Sequence, residues 1–237
     1  MSDLVTYAIG DVHGEAERLA RLHERIFEDI AGHGVRARVI HLGDLVDRGP
    51  DSRACVTRAM AMEEADDDIE AITLMGNHEE MMIKAVLSWD EGTLSHWTRN
   101  GGATTIASYL ACAPHIEAAR WREAVDDAHV DWLSSRRTIF AADDDLFVHA
   151  GIDPETFPLH DPATHMWIRS REFFEDESWP DRAPLRGLRV IHGHTPREDG
   201  RPQVTRRRIN VDTGAVYGGP LTAVVLAGDE RPRFLTA

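Results

Sequence analysis

The chain has 237 residues, of which 42% are hydrophobic and 28% charged, so its composition is that of a globular protein with an ample core. Its formal net charge of −15 would repel polyanions over most of the surface, which argues against nucleic acid or an anionic membrane as a partner. No apolar run is long enough to cross a bilayer, and we expect a single domain over residues 1–237.

Nothing at the start of the chain or in its cysteine content indicates secretion. The first residues lack a basic region and lead directly into a strand-like segment, so we expect a cytoplasmic protein. Cys55 and Cys112 both fall in helix-like segments without a paired metal-ligand spacing. Reduced core thiols are therefore expected.

A strand, a helix and a second strand are predicted first. Residues 4–9 carry alternating apolar side chains, residues 15–31 place leucine and isoleucine at helical spacing, and residues 35–42 form a second apolar run. Strands joined by such a helix lie side by side and parallel. The segments that follow the two strands therefore come to the same edge of a sheet.

Polar side chains follow both of these strands. Asp11 and His13 come after the first strand, and Asp44, Asp47 and Arg48 come after the second. In open α/β sheets, ligand groups commonly lie just beyond the carboxyl ends of the strands. The second group would suit a metal with a bound anion, although an ordinary loop with an Asp–Arg ion pair explains that segment alone equally well.

The same arrangement is predicted a third time. A helix at residues 51–62, whose first residue is a candidate N-cap, leads through a solvated acidic turn at 63–68 into a strand at 69–75. Residues 76–79 then read Gly-Asn-His-Glu, and residues 80–89 are predicted to be helical.

The middle of the chain is predicted to add a loop, two helices and two strands, and residues 103–110 form the first of these helices. Residues 90–102 are loop-rich, residues 116–133 carry helical periodicity, and residues 137–141 and 146–148 form short strands. His149 follows the second of these strands directly.

The last third of the chain is predicted to combine a long irregular segment with three strands. Residues 153–184 are rich in proline, aromatic and charged residues, and a loop of that length predicts a lid or a substrate wall. A strand at 188–192 runs into a glycine and His194, and strands at 208–211 and 221–226 flank a glycine-rich turn.

Carboxylate, imidazole and amide side chains thus follow five predicted strands. This mixture suits borderline divalent ions such as Mn, Fe or Zn better than Ca or Mg, which prefer all-oxygen shells. Two ions about 3.5–4 Å apart, bridged by one carboxylate, would use the whole set and would clamp the attacking and leaving oxygens of a displacement at phosphorus. The candidate ligands are Asp11, His13, Asp44, Asn77, His149 and His194.

Five short blocks occur in a fixed order from Ile9 nearly to the end of the chain. They are Gly10-Asp11-Val12-His13-Gly14, Gly43-Asp44-Leu45-Val46-Asp47-Arg48-Gly49, Gly76-Asn77-His78-Glu79, His149-Ala150-Gly151 and Gly193-His194-Thr195. In this order they resemble the metallophosphoesterases of the phosphoprotein phosphatase type, and within them the small bacterial and bacteriophage lambda serine/threonine protein phosphatases. The resemblance implies the α/β fold of metal-dependent phosphatases, in which two mixed β-sheets form a sandwich flanked by helices.

The resemblance also implies how the ligands are shared between the metals. Asp11 and His13 of the first block would hold the first metal. The second metal would be held by residues of the last three blocks, Asn77, His149 and His194. Asp44 of the second block would bridge both metals. A hydroxide bridging the metals would be the nucleophile, because metal coordination lowers the pKa of water from about 15.7 toward 7.

The resemblance further implies the catalytic and substrate-binding groups. His78 would be the general acid for the leaving oxygen, and Asp47 would fix its tautomer. Arg48 would bind phosphate oxygens through its planar guanidinium, together with Asn77. Trp167-Ile168-Arg169 resembles the stretch that supplies a second phosphate-binding arginine.

Four positions leave alternatives open. Arg171 competes with Arg169, and His192 competes with His194, because residues two apart share one face of a strand. The Gly-His-Thr pattern of the resemblance favours His194. Tyr217 fits either a cleft or a packed turn. The aromatic residues between 157 and 179 are expected to serve packing rather than base stacking.

One position departs from the family pattern. Many relatives have an arginine two residues before the asparagine of the third block, where this chain has Met75. That departure leaves one positive charge fewer near the phosphate.

The leading hypothesis is a dinuclear enzyme, with Mn as the expected metal, that hydrolyses phosphate monoesters such as phosphoserine and phosphothreonine in proteins. The alternative substrate is a dinucleoside tetraphosphate cleaved symmetrically, since hydrolases of that kind resemble the chain through the same five blocks. A non-catalytic binding module would be expected to lack a ligand or the general acid, and all of these residues are present.

Overall fold

The computed structural model describes residues 4–34, 36–65, 69–88, 90–228 and 230–237. Within these ranges the strands form two five-stranded sheets. Both sheets are mixed, they pack face to face, and helices flank them, which confirms the expected fold class. No helix of the described part of the chain is long and apolar enough to cross a membrane.

The first sheet is built around three parallel strands. Its strands are β1 (Leu4–Ile9), β2 (Arg36–His41), β3 (Ile69–Thr73), β9 (Thr222–Ala227) and β10 (Arg233–Thr236), and their order across the sheet is β10, β9, β1, β2, β3. β1, β2 and β3 run parallel, with Ile9 opposite His41 and His41 opposite Thr73. The carboxyl ends of all three strands therefore meet at one edge.

The second sheet has the same feature. Its strands are β4 (Ile139–Ala142), β5 (Asp145–Val148), β6 (Arg189–His192), β7 (Gln203–Val204) and β8 (Arg208–Asn210), in the order β4, β5, β6, β8, β7. β5, β6 and β8 are parallel. The loop after β5 meets the loop after β2, because the ring of His149 bonds the carbonyl of Leu42 at 3.0 Å. The loop after β6 joins them through the N–H of Gly193, which donates to the carbonyl of His149 at 2.8 Å.

Apolar side chains fill three layers. The layer between the sheets includes Ile40, Phe147, Ile191 and Val224, all buried. The outer face of the first sheet packs against the helices, and the outer face of the second packs against residues that include Phe173. Both faces are buried along β1 and at the end of β2, as is usual for parallel strands that are covered on both sides.

The helices and their bounds follow the chain. They are α1 (Ala16–His33), α2 (Ser52–Glu64), α3 (Asn77–Leu87), α4 (Glu91–Trp97), α5 (Ala103–Cys112), α6 (Asp127–Ser134), α7 (Pro162–Trp167) and α8 (Arg171–Phe174). The carboxylate of Asp51 caps α2 by accepting from the backbone N–H of Ala54 at 3.0 Å, as its position predicted. Cys55 on α2 is buried as expected, whereas Cys112 is exposed because it ends α5.

Several predicted elements differ from the structure. Residues 90–102, expected as a loop, form α4 and a π-helical turn, and the predicted helix at 116–133 is broken where Asp126 caps α6 and Arg120 leaves helical geometry. The expected irregular segment at 153–184 contains α7 and α8. The short edge strands β7 and β10 were not predicted.

Parts of three predictions lie outside the described residues. They are Val35 of the second strand, residues 66–68 of the acidic turn and Trp89 at the end of a predicted helix.

Replacing Ile40, whose side chain is fully buried between the sheets, by alanine is expected to lower the free energy of unfolding by about 2–5 kcal/mol, because the cavity cannot be refilled in a two-sheet core. Urea unfolding measures this change. Val204→Ala is the control: Val204 is 52% exposed, and its loss should change stability by no more than about 0.5 kcal/mol. Equal effects of the two substitutions would contradict the layered core.

Candidate metal centre

The loops after β1 and β2 are bonded to each other through their backbones. The N–H groups of Val12 and His13 both donate to the carbonyl of Asp44, at 3.0 and 2.7 Å, and the N–H of Gly14 donates to the carbonyl of Leu45 at 2.8 Å. These bonds fix the position of Asp44 relative to the first block. The two blocks therefore form one rigid unit.

Unusual backbone conformations concentrate in these loops. Six non-glycine residues of the described chain have a positive φ, which is uncommon for residues with a Cβ. Five of the six lie in the sequence blocks: His13, Asp44, Asp47, Arg48 and His194. Such strain persists where the surroundings over-determine it, and it clusters at functional sites.

The carboxylate of Asp44 is the centre of the site. Its Oδ2 lies 3.4 Å from Nε2 of His13, 3.4 Å from Nε2 of His149 and 4.0 Å from Nε2 of His78. Donor atoms converge in two groups that both include this residue. We call His13, Asp44 and His78 the first cluster and Asp44, His149 and His194 the second cluster; every member is buried.

The remaining predicted ligands border these clusters. The carboxylate of Asp11 lies 3.9 Å from Nε2 of His13 and accepts the backbone N–H of His194 at 2.9 Å. The amide oxygen of Asn77 lies 3.0 Å from Nε2 of His149. The structure thus brings all six predicted ligand residues to one place.

The histidine rings are oriented with one nitrogen toward Asp44. Nδ1 of His13 faces the carbonyl of Val46 at 2.9 Å, and Nδ1 of His149 faces the carbonyl of Leu42 at 3.0 Å. A carbonyl only accepts, so each Nδ1 carries the donated proton. In the neutral ring this leaves the Nε2 lone pair directed into the site, which is the usual arrangement of a metal-ligating histidine.

Burial and the charge of Asp44 shift the pKa values of the groups in this site. Burial lowers the pKa of His13 to about 3 and that of His194 to about 2, so both rings are neutral. Burial alone would raise the pKa of Asp44, but the neighbouring His149 and His78 hold it well below its usual value. Against the effect of burial, Asp44 raises the pKa of His149 to about 9. The protonated ring of His149 therefore carries a positive charge beside Asp44.

This donor set fits divalent cations. The set comprises two carboxylates, three imidazoles and one amide, all of them buried. It is larger than the set of ligands that one tetrahedral ion uses. The buried Nε2 of His194 has no hydrogen-bond partner among the described residues, so it is a further nitrogen that a cation could use. The residues present therefore match a two-metal site.

The side chain of Asp47 is held from three sides and orients His78. It accepts the indole N–H of Trp97 at 2.9 Å and the hydroxyl of Thr105 at 2.7 Å, and its Oδ2 lies 2.7 Å from Nδ1 of His78. Burial raises the pKa of Asp47 in opposition to its bond with His78. The hydrogen bond to Asp47 therefore fixes the orientation of the His78 ring.

Two arginines border the centre, and a third does not. The guanidinium of Arg48 contacts Nε2 of both His13 and His78, at 2.8 Å from the latter. Arg169 donates to the carbonyl of His194 at 3.0 Å. Arg171 instead bonds Glu175 at 2.6 Å with its side chain 81% exposed. The structure therefore places Arg169, rather than its competitor, beside the second cluster.

The structure also separates His192 from His194. His192 lies on β6 with its Nε2 3.1 Å from the guanidinium of Arg208 and its ring against Phe173. His194 lies past the end of the strand, with its Nδ1 3.1 Å from Nε2 of His149. The chain turns at His194, whose φ is positive, so the two histidines do not share one face of a strand. Strand periodicity alone does not predict this turn.

Glu79 is a residue of this site that the sequence analysis did not single out. Its carboxylate accepts the backbone N–H groups of Asp44, Leu45 and Gly76 at 2.7–2.9 Å and that of Val46 at 3.2 Å. The bond to Gly76, three residues earlier, follows a capping-box spacing that the sequence contains. The bonds to the Asp44 loop cross 35 residues and leave no local signal.

Two further features of the site were missed. A Cβ at Gly76 would lie 2.3 Å from the carboxylate of Asp44, so only glycine fits there. Asp212 is buried at the end of β8, where burial raises its pKa to about 6, and its charge adds to the effect of burial in raising the pKa of Asp11.

Comparisons with known proteins identify the family. The family model of the calcineurin-like phosphoesterases matches residues 4–228. An asymmetrical bis(5'-nucleosyl)-tetraphosphatase PrpE of Geobacillus sp. strain WCH70 is 26% identical and covers 91% of this chain and 87% of its own. The enzyme of the same name from Halalkalibacterium halodurans is 27% identical with the same coverage.

Two solved structures share the fold. A putative diadenosine tetraphosphatase has a TM-score of 0.64 at 21% identity, covering 98% of this chain and 93% of its own. A cold-active protein-tyrosine phosphatase of a Shewanella species has a TM-score of 0.66 at 18% identity, covering 100% and 82%. At these identities the likeness concerns the fold alone.

Asp44→Asn is expected to reduce bound metal from about two ions per chain to fewer than one, because the residue shared by both clusters loses its charge. Metal analysis after equilibration with Mn²⁺ and gel filtration measures the ratio. Asp131→Asn, a neutralisation on the exposed face of α6, is the control and should keep the full content. Full metal content in both variants would contradict the assignment of Asp44.

Glu79→Gln is expected to weaken Mn²⁺ binding about 10- to 100-fold, since a group that only orients a ligand typically has this effect. It should also lower the free energy of unfolding by about 1.5–3 kcal/mol through the loss of charge-assisted bonds. Calorimetric titration and urea unfolding measure the two quantities. Glu70→Gln on β3, whose partner is Arg38, is the matched control. Identical metal affinity in the two variants would show that Glu79 does not position Asp44.

Proposed function

Since the chain belongs to the calcineurin-like phosphoesterase family, we propose that it is a two-metal hydrolase of dinucleoside polyphosphates that cleaves the anhydride chain asymmetrically. The observation that carries the hydrolytic part is the convergence of five other donor residues around Asp44. The substrate class is supported by the curated relatives, which match over 91% of the chain and are named for this activity.

We propose that Asp11, His13 and Asp44 hold one cation and that Asp44, Asn77, His149 and His194 hold the other. The mixture of nitrogen and oxygen donors favours Mn²⁺. When bound, such cations supply an acidic water as the nucleophile near neutral pH and offset the negative charge on phosphorus. The division of the ligands is the one that the resemblance of the sequence blocks implies, and it is supported by the separate clusters that His13 and His149 form with Asp44.

Arg48 and Arg169 are proposed to bind the phosphate oxygens. Arg48 presents its guanidinium at the first cluster, and Arg169 lies beside the second. A phosphate between them would accept donors from both sides, and a planar guanidinium can bind two oxygens at once. Asn77, at the N-terminus of α3, has an amide group on the same side of the site.

His78 is proposed to donate a proton to the leaving oxygen. Its Nδ1–H is bonded to Asp47, so the carboxylate stabilises the imidazolium and keeps Nε2 directed to the site. In the structure Nε2 faces the guanidinium of Arg48. A phosphate placed between them would take the donors of Arg48 and would bring its leaving oxygen to Nε2.

The second candidate is hydrolysis of phosphoserine or phosphothreonine in proteins. It is supported by the order of the five blocks, which resembles the lambda-type enzymes. With Met75 in place of the arginine found in many relatives, a terminal phosphate with two negative charges meets one guanidinium fewer. An internal phosphate of a polyphosphate chain carries one charge, so this departure favours the nucleotide substrate.

His78→Asn is expected to lower turnover of phenyl phosphate by roughly 10²- to 10⁴-fold, because its leaving oxygen is strongly basic and needs a proton. The loss on diadenosine tetraphosphate should be smaller, since the leaving phosphate is a much weaker base. Metal content should stay that of the wild type. Loss of metal, or equal losses of turnover on both substrates, would contradict the role of His78 as general acid.

A substrate panel with Mn²⁺ tests the proposed specificity. We expect kcat/KM to be highest for diadenosine tetraphosphate, with AMP and ATP as products of the asymmetric cleavage. Two molecules of ADP would instead indicate the symmetrical reaction. A higher kcat/KM for phosphoserine or phosphothreonine peptides would favour the second candidate over the first, with the two-metal chemistry unchanged.

A further inference from the structure

Aromatic side chains are exposed at the rim of the metal centre. Three Phe, Trp or Tyr side chains of the described residues are exposed: Phe27, Trp167 and Tyr217, at 44%, 39% and 66%. Phe27 lies on α1, beside His23. The other two each contact a residue of the site. Exposed aromatic surface is thus concentrated where the substrate would bind.

Tyr217 stands beside the first cluster. The guanidinium carbon of Arg48 lies 5.8 Å from the centre of its ring, and Arg48 in turn contacts His13 and His78. The ring also lines an open cavity of about 450 Å³ whose walls include Pro196 and Gly218. A cavity of this size falls in the range of small-molecule sites. A planar group attached to a phosphate on Arg48 would therefore reach both the ring and the cavity.

Trp167 stands beside the second cluster. Its ring centre lies 6.5 Å from that of His194, with the two planes nearly perpendicular. The indole N–H donates to the carboxylate of Glu80 at 2.8 Å, which fixes the ring at the end of α7. Arg169, two residues later, contacts the carbonyl of His194. This side of the site therefore also has an arginine next to an exposed ring.

The other aromatic side chains of this segment behave differently. Phe173 and Trp179 are buried, stack on each other with centres 5.8 Å apart and belong to the layer behind the second sheet. They meet the expectation that aromatic residues between 157 and 179 serve packing. Trp167 departs from it, because its surface is left open although a bond to Glu80 holds the ring in place.

We propose that Tyr217 and Trp167 are stacking platforms for the two bases of a dinucleoside polyphosphate, one beside each cluster. This inference rests on the proposed function, and it names the residues that select a substrate with a base at each end. Every nucleobase has a π-face, so stacking on an aromatic ring binds bases without reading their identity. It also needs no basic surface, which reconciles nucleotide binding with a net charge of −15.

The experiment compares two substrates that differ in their bases. Diadenosine tetraphosphate has two bases, and inorganic tripolyphosphate has none. The variants are Tyr217→Leu and Trp167→Leu, which remove a ring, and Tyr217→Phe and Trp167→Phe, which keep one. Phe27→Leu removes an exposed ring on α1 that lies beside His23 rather than beside Arg48 or His194, and it is the matched control. The readout is the ratio of kcat/KM for the two substrates.

We expect each leucine variant to lower that ratio by about 5- to 150-fold, the usual effect of removing one base–aromatic stack, mainly through a higher KM for the nucleotide. The phenylalanine variants should keep most of the ratio, and Phe27→Leu should leave it unchanged. A ratio that stays at the wild-type value in both leucine variants would overturn the proposal. So would equal losses on both substrates, which would indicate a structural role.

A binding measurement separates this inference from the proposed function. Diadenosine tetraphosphate is tested as an inhibitor of p-nitrophenyl phosphate hydrolysis, with inorganic tripolyphosphate as the base-free inhibitor. If the wild type binds the dinucleotide without cleaving it, and the leucine variants weaken its inhibition selectively, base stacking is supported and the proposed reaction is contradicted. If the dinucleotide is cleaved but the variants bind it as the wild type does, only base stacking is contradicted.

Discussion

The carboxylate of Asp44 is the constraint on which the rest of the site depends. One oxygen of this buried group lies 3.4 Å from ring nitrogens contributed by the loops after β1 and β5, although water could not solvate its charge there. Three backbone N–H groups of this loop donate to Glu79, and two N–H groups of the first block donate to the carbonyl of Asp44, which together hold Asp44 in a left-handed conformation. A rigid anion surrounded by imidazoles is what a pair of cations requires.

Substrate recognition depends on positive charge at the centre of the site and on aromatic rings at its borders. The centre provides positive charge through two arginines, one at each cluster, and its borders provide exposed aromatic rings. The acidic remainder of the surface repels long polyanions without affecting a short polyphosphate held inside the cleft. Selection of a small anionic substrate therefore depends on a few residues near the metals rather than on the field of the whole protein.

The sequence predicted the strand ends of the site because each block is local. A buried strand, a glycine and a polar side chain leave a pattern that parallel pairing brings to one edge. Long-range contacts left no such pattern: the indole of Trp97 bonds Asp47 across 50 residues. Residues 90–102 were expected to form a loop, but Gly101 lies against Arg48, where a Cβ would be 2.6 Å from its side chain. Close packing, not loop flexibility, requires glycine there.

A crystal of the protein equilibrated with Mn²⁺, measured for anomalous scattering, tests the shared carboxylate most directly. The account predicts two anomalous peaks about 3.5–4 Å apart, one on each side of the Asp44 carboxylate and both in contact with it. A single peak, or two peaks of which only one touches Asp44, would contradict it.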